Sequence, residues 1–220
     1  MNLSPATLID QLKETQDWIQ DVLRGYEEYD EGHRYPWDNF LYRSKTFRRA
    51  HLDVVDARVG SKLYMMHLCI FPHIDDPSPV FGFDIISGEN KVTGAFHDFS
   101  PVVGGTYLDK WYASQVGDQQ WSKVRELPEW ARQIFSTNMV AAGNIQNSVE
   151  LEQFLSMVRF NLLNYLANIG NRSTDDFSTA QNKYCRFQKQ NPHTPRVMKS
   201  LGFNEDVVHE FIQNCLFPEV

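Results

Sequence analysis

The chain has 220 residues, 42% hydrophobic and 22% charged, with a formal net charge of −7. That length and apolar content suffice for one sizeable core, so a single domain over residues 1–220 is expected, and the negative balance disfavours nucleic acid and anionic membranes as partners. The start lacks a basic segment followed by an apolar one and no run approaches the ~18 apolar residues of a membrane span, so a soluble, cytoplasmic protein is expected.

Ser4 before Pro5 is an N-cap and first-turn signal, and Leu8, Ile9, Leu12, Ile19, Val22 and Leu23 recur at helical spacing as far as Gly25. Residues 26–45 are rich in Gly, Pro, Asp and Asn and read as an irregular connection. Strands are expected at about 47–57, 62–71, 80–86 and 91–99. Their links (Gly60-Ser61, PHIDDPSP and Ser87-Gly88-Glu89-Asn90) are too short for the crossover that parallel neighbours need, so the sheet should be an antiparallel meander. No GxGxxG or GxxxxGKS occurs, which removes the usual dinucleotide and nucleotide signatures.

Further on, Tyr107 to Val116 and Pro128 to Phe135 read as short helices, and TNMVAAGN from Thr137 as a return to the sheet. Asn147 with Glu150 resembles a capping box for a long helix running to Gly170. Asp175 to Gln190 and Asn204 to Leu216 read as two more helices. Helices before and after the strands can cover both faces, so the expected class is α/β, a three-layer α/β/α sandwich around a central antiparallel sheet.

Alternation singles out His67, flanked on its face by Met65 and Cys69, and Asp84, which shares a face with Val80, Gly82 and Ile86. A carboxyl in such surroundings has its pKa raised by desolvation, and a neighbouring histidine counters that by favouring the charged form. The pair is either a proton-handling site that titrates as a unit or a buried pair that fixes strand register. His73, Asp75 and Asp76 lie in a turn between Pro72 and Pro77, which turn chemistry explains without a metal. His97 and Asp98 are strand neighbours, so they point to opposite faces. Cys69, Cys185 and Cys215 are far apart and odd in number, which argues for reduced thiols and against a disulfide framework, zinc finger or iron–sulfur cluster.

Basic residues are unevenly placed. Residues 177–203 contain Lys183, Arg186, Lys189, Arg196 and Lys199 with no acid, and Arg43, Lys45, Arg48 and Arg49 form a second cluster. Two basic patches on an acidic protein point to an anionic partner, or else to two solvated surfaces.

The segment FPHIDDPSPVFGFDIISGENKVTGAFHDFSP, with FRRAHLD before it and YCRFQKQNPHTPRVMKSLGF after it, resembles the ferredoxin-dependent bilin reductases. The resemblance covers roughly residues 45–216. It implies an antiparallel sheet between helices, an open-chain tetrapyrrole held between sheet and C-terminal helices, no bound flavin, metal or iron–sulfur centre, and single electrons from ferredoxin, an acidic protein. Asp84 matches the central aspartate that protonates the pigment, and His67 matches the histidine that shares its proton network in the phycocyanobilin branch. Asn191 stands where phycoerythrobilin-forming relatives have a second catalytic aspartate.

By the same resemblance Asn191, His193, Arg196, Thr93 and Asp53 are expected to bind substrate, and Arg48, Arg49, Lys183, Arg186, Lys189 and Lys199 to bind ferredoxin. In the phycocyanobilin enzymes a Glu of an HLE motif, set closer to the histidine, supports exovinyl reduction. Here the motif is HLD, and Asp53 is expected to be displaced along its strand, with Val55 at the position of that Glu. The propionate-binding arginine of the family would fall near Gly143, and its late lysine at His193, so propionate anchoring is expected to differ. The implied reaction is reduction of biliverdin IXα to phycoerythrobilin through 15,16-dihydrobiliverdin, with phycocyanobilin as the alternative product. The protein is expected to act as a monomer in the cytoplasm of a cyanobacterium or phage-infected host, or in a plastid stroma. A non-catalytic tetrapyrrole carrier would keep the aromatic residues but need neither Asp84 nor the basic patches.

Overall fold

The structure, a computed structural model, describes residues 7–29 and 34–220. The expected cap at Ser4 and Pro5 lies outside them. Helix α1, Leu8–Leu23, is capped by Thr7, whose hydroxyl accepts from the Asp10 N–H while the Asp10 carboxylate accepts from the Thr7 N–H. Its buried residues Leu12, Ile19 and Leu23 lie along one stripe.

Seven strands follow, β1 (Glu27–Glu28), β2 (Asp38–Arg43), β3 (Phe47–Ala57), β4 (Leu63–Pro72), β5 (Val80–Gly88), β6 (Val92–Ser100) and β7 (Val140–Ala142). They lie side by side in chain order in one sheet, every neighbouring pair antiparallel. The four long strands fall where hydrophobic alternation puts them. Strand β2 is a correction to the irregular connection, because its five pairs with β3 supply backbone hydrogen bonds that outweigh the local Asp and Asn turn preference. The β3–β4 hairpin turns through a short helical turn α2 (Arg58–Ser61), where Gly60 (φ 101°) and Lys62 (φ 52°) take the left-handed conformation.

The helices divide between the two faces. Beyond α1 come α3 (Tyr107–Val116), α4 (Glu129–Arg132), α5 (Ser148–Asn168), α6 (Ser178–Gln188), α7 (His193–Ser200) and α8 (Glu205–Glu210), which runs into a π-helical turn, Phe211–Leu216. One core packs α1, α3 and α5 against Leu52, Leu68, Phe81, Phe83 and Phe99. The other packs Tyr184, Met198, Val208 and Phe211 to Phe217 against Cys69, Phe71 and Val80. Each large side chain buried this way contributes about 1.5–3 kcal/mol. The result is the expected α/β/α arrangement.

Helix α7 has no counterpart among the expected elements. Its Pro195 falls in the first turn, where a missing N–H breaks no intrahelical bond. The turn residues outside the sheet have structural tasks: Asp76 accepts from the Ser78 and Gly170 N–H groups, Asp75 pairs with Arg172, and the His73 ring meets the Ser44 carbonyl. His97 and Asp98 do point apart. The His97 ring bonds the Gly82 carbonyl and Asn161, whereas Asp98 accepts from Ser100 and Ser136.

Candidate active site

The sheet's second face, toward α6–α8, carries a row of polar side chains. Residues directly opposite one another across an antiparallel ladder share a face, with strands about 4.8 Å apart. The ladders pair Asn39 with Asp53, Asp53 with His67, His67 with Asp84, Asp84 with Phe96, and Phe96 with Ala141. Asp53, His67 and Asp84 therefore stand shoulder to shoulder on β3, β4 and β5. All three are half-buried, as are Met65, Gly82, Ile86 and Phe96 around them, whereas the alternate residues Leu52, Leu68 and Phe83 are fully covered on the opposite face. The row thus lies on the face of the sheet that the C-terminal helices cover only in part. Two cavities, of about 210 Å³ beside Tyr35 to Phe40 and about 270 Å³ beside Phe99, Tyr112 and Ser136, do not include the row.

The electrostatics of this row favour neutral forms. Burial lifts Asp84 to about 7, although the Arg125 cation and the Ile85 N–H pull the other way. Burial, together with the charge of Asp84, lifts Asp53 to about 8. Burial lowers His67 to about 4 and His51 well below the usual histidine range. This corrects the expectation that His67 is the counter-charge for Asp84: the opposing cation is Arg125. Two carboxyls of raised pKa beside a neutral imidazole form a store of protons near neutral pH. Buried Oδ1 of Asp53 and Nδ1 of both His51 and His67 have no hydrogen-bond partner among the described residues, a costly state that a polar ligand on this face would relieve.

Surrounding residues fix the row. The His51 ring bonds the Asn39 side chain at 2.8 Å, and the Phe217 ring lies edge-on to His67 at 5.9 Å. Tyr184, held by Gln188 at 2.8 Å, stands over Gly82, where even a Cβ would meet its hydroxyl only at ordinary contact distance, 3.6 Å.

Register changes the meaning of Asp53. Its fourteen-residue separation from His67 is absorbed by the turn at Arg58–Ser61, and the two stand directly opposite, while Val55 faces Met65. Asp53 is therefore level with His67, and Val55 lies two residues further along the strand.

The other expected substrate contacts lie apart from this row. The Thr93 hydroxyl donates to the Ile86 carbonyl at 3.1 Å. The Asn191 side chain accepts from the His193 N–H at the start of α7, and His193 and Arg196 are exposed. None of the four is hydrogen-bonded to the row among the described residues.

The basic clusters are partly consumed within the protein. Arg49 is buried, donating to Tyr29 and to the Cys215 carbonyl at 2.6 Å, so it anchors the π-helical turn to the sheet and offers no surface charge, contrary to its expected place in a ferredoxin patch. Arg48 lies over the Phe71 ring and donates to Gln181. Arg186 and Lys189 share Glu219, and Lys199 pairs with Glu205. Lys183 is exposed above Phe187.

Sequence reasoning missed Arg125. It sits in a loop between helices, and the bridge that pairs Val124 with Ala142 sets it opposite Ala141, at the end of the same cross-strand row. Its guanidinium lies 5.5 Å from the centroid of Phe96, the residue facing Asp84.

The profile of the ferredoxin-dependent bilin reductases matches residues 6–218. The chain belongs to this family. As a ferredoxin-dependent bilin oxidoreductase it is 28% identical over 196 residues to the phycocyanobilin:ferredoxin oxidoreductase of Synechococcus elongatus, covering 85% of this chain and 77% of the relative. To that of Gloeobacter violaceus it is 29% identical over 196 residues, covering 85% and 76%. The bilin reductase also superimposes on a structure of a PcyX protein at a TM-score of 0.70 and 35% identity, covering 95% of this chain and 99% of the other. Tomato phytochromobilin synthase in complex with biliverdin shares the fold at a TM-score of 0.73 and 13% identity, over 94% and 82% of the two chains. Among the described residues no helix is long and apolar enough to cross a membrane.

Proposed function

We propose that this bilin reductase reduces biliverdin IXα to phycoerythrobilin through 15,16-dihydrobiliverdin, with Asp84 as the central acid and His67 as its partner. The observation that carries the reading is the row itself: a carboxyl raised to about 7 directly opposite a neutral imidazole, both half-buried on one face of the sheet. Protonating a conjugated tetrapyrrole raises its electron affinity, so an acid that still holds its proton near neutral pH primes the pigment for each electron from ferredoxin. The electrons enter singly, and each pigment radical takes its proton from Asp84, with His67 relaying the next one. Asp53 is a methylene shorter than the glutamate of the HLE motif, so its carboxyl reaches less far from the strand, which supports reduction at the 15,16 bond and then the A ring.

One observation favours the second reading, phycocyanobilin: Asp53 stands directly opposite His67 and holds its proton up to about 8, which is what an acid for the exovinyl group needs. The curated relatives at 28–29% identity carry that product in their names. Anaerobic incubation with biliverdin, reduced ferredoxin and its reductase decides between them. The two products are isomers, so they must be separated by retention and absorption against standards. Phycoerythrobilin with a dihydrobiliverdin intermediate is expected, and phycocyanobilin would overturn the assignment.

Ferredoxin docks, in this reading, on the exposed basic groups Lys183, Arg186 and Lys199, with Lys189 beside them. Asn191, His193 and Arg196 contact the pigment from the start of α7, and the protein works as a monomer.

A further inference from the structure

Arg125 is built into the polar row by geometry that its loop position hides. Its backbone N–H donates to the Ala141 carbonyl at 2.8 Å, and its guanidinium donates to the Thr93 carbonyl at 3.0 Å while lying over Phe96. Two glycines make room for the side chain. A Cβ at Gly94 would come within 2.9 Å of its Nη1, and one at Gly143 within 2.9 Å of its Cγ and Cδ. The cation is thus laid across β6 and β7 beside Phe96, where its charge reaches Asp84, yet among the described residues it makes no ion pair. An exposed arginine with a fixed stem and no acid partner beside a tetrapyrrole site fits a carboxylate of the substrate.

We propose that Arg125 is a positioning residue that takes a carboxylate of the pigment and thereby couples substrate binding to proton uptake at Asp84. The idea rests on the bilin reading given above. The Arg125 cation favours the ionised form of Asp84. A carboxylate laid on Arg125 cancels that field, and Asp84 takes a proton from solvent just as the pigment that needs it arrives. By linkage the effect is reciprocal, so protonation of Asp84 tightens the hold on the carboxylate. The other titratable groups around Asp84 do not supply this coupling. His67 opposite it is neutral, Asp53 and His51 lie beyond His67 on β3, and from the C-terminal elements the Cys215 thiol faces Asp53 and Arg49.

The test compares biliverdin with its dimethyl ester, which lacks free carboxylates, on the wild-type protein, Arg125→Gln and Arg125→Lys. Two quantities are read: the dissociation constant, and the pH midpoint of the absorption change of the bound pigment. The wild type should bind biliverdin at least about tenfold more tightly than Arg125→Gln does. Its bound biliverdin should keep the protonated spectrum to a pH about one unit higher than the bound ester. Arg125→Gln should lose this difference between acid and ester, and Arg125→Lys should restore part of it. Biliverdin affinity unchanged in Arg125→Gln, or a wild-type acid–ester difference that persists in it, would overturn the proposal while leaving the bilin reading intact. A wild-type protein that binds no biliverdin would overturn both.

Discussion

Asp53 stands directly opposite His67 across the β3–β4 ladder, and this places a second carboxyl of raised pKa on the far side of the imidazole from Asp84. The row is therefore an acid, a neutral base and a second acid, spaced by the strand separation of the sheet.

A stability consequence follows for Asp53. Its folded pKa of about 8 lies above the ordinary 3.8, so the folded state binds the proton more tightly than the unfolded chain. The associated stability is fully present below pH 3.8 and is lost as pH rises toward 8. Asp53→Asn carries no such loss. Its stability relative to wild type should rise across that window, by on the order of 2 kcal/mol after allowance for water reaching the half-buried carboxyl. Urea melts at pH 5 and pH 8.5 measure it, and a difference independent of pH would contradict the assigned shift.

His67→Gln keeps a polar side chain but removes a group able to pass a proton between the carboxyls. Turnover should fall about tenfold, with a coloured radical intermediate persisting under anaerobic single-turnover conditions. Stopped-flow absorption reads both. Unchanged kinetics would reduce His67 to a residue that fixes register.

Much of this site is legible in the sequence because it depends on local alternation. The period-2 pattern in VFGFDII and LYMMHLCIF puts Asp84 and His67 on one face, and the short links force the antiparallel order that makes them neighbours. What was not legible depends on turn geometry and on contacts far apart in the chain. The Asp53 register is set by how many residues the Arg58–Ser61 turn absorbs, and spacing alone cannot reveal that number. Arg125 joins the row through one bridge to β7, and Arg49 turns inward to meet a carbonyl near the C-terminus. For Arg125 and Arg49 a non-local partner overrode the local signal.

Arg49 gives a prediction of its own. Removing its side chain leaves the Cys215 carbonyl without its donor and frees the turn whose end places Phe217 against His67. Arg49→Met should cost about 2–3 kcal/mol, the usual range for a buried charge-assisted hydrogen bond. Denaturant melts give the figure. A loss under 0.5 kcal/mol, an order of magnitude at which surface substitutions fall, would place Arg49 outside the core.

Ferredoxin dependence should respond to the exposed cations and to the acid that masks two of them. Reversing charge at Lys183 and Arg186 should raise the half-saturating ferredoxin concentration severalfold at low ionic strength, with the difference shrinking as salt is added. Glu219→Gln, which unmasks Arg186 and Lys189, should lower it. Steady-state assays over a salt series separate the two, and loss of biliverdin affinity instead would assign these cations to the pigment.

The most direct measurement is anaerobic turnover of Asp84→Asn with biliverdin and reduced ferredoxin, read beside pigment binding by absorption. The amide keeps the shape of the carboxyl on β5 but has no proton to give. Binding should remain within a few-fold of wild type while the rate falls at least about a hundredfold, the scale of a lost general acid. Wild-type turnover in this variant would contradict the account, because no acid on the row would then be required at position 84.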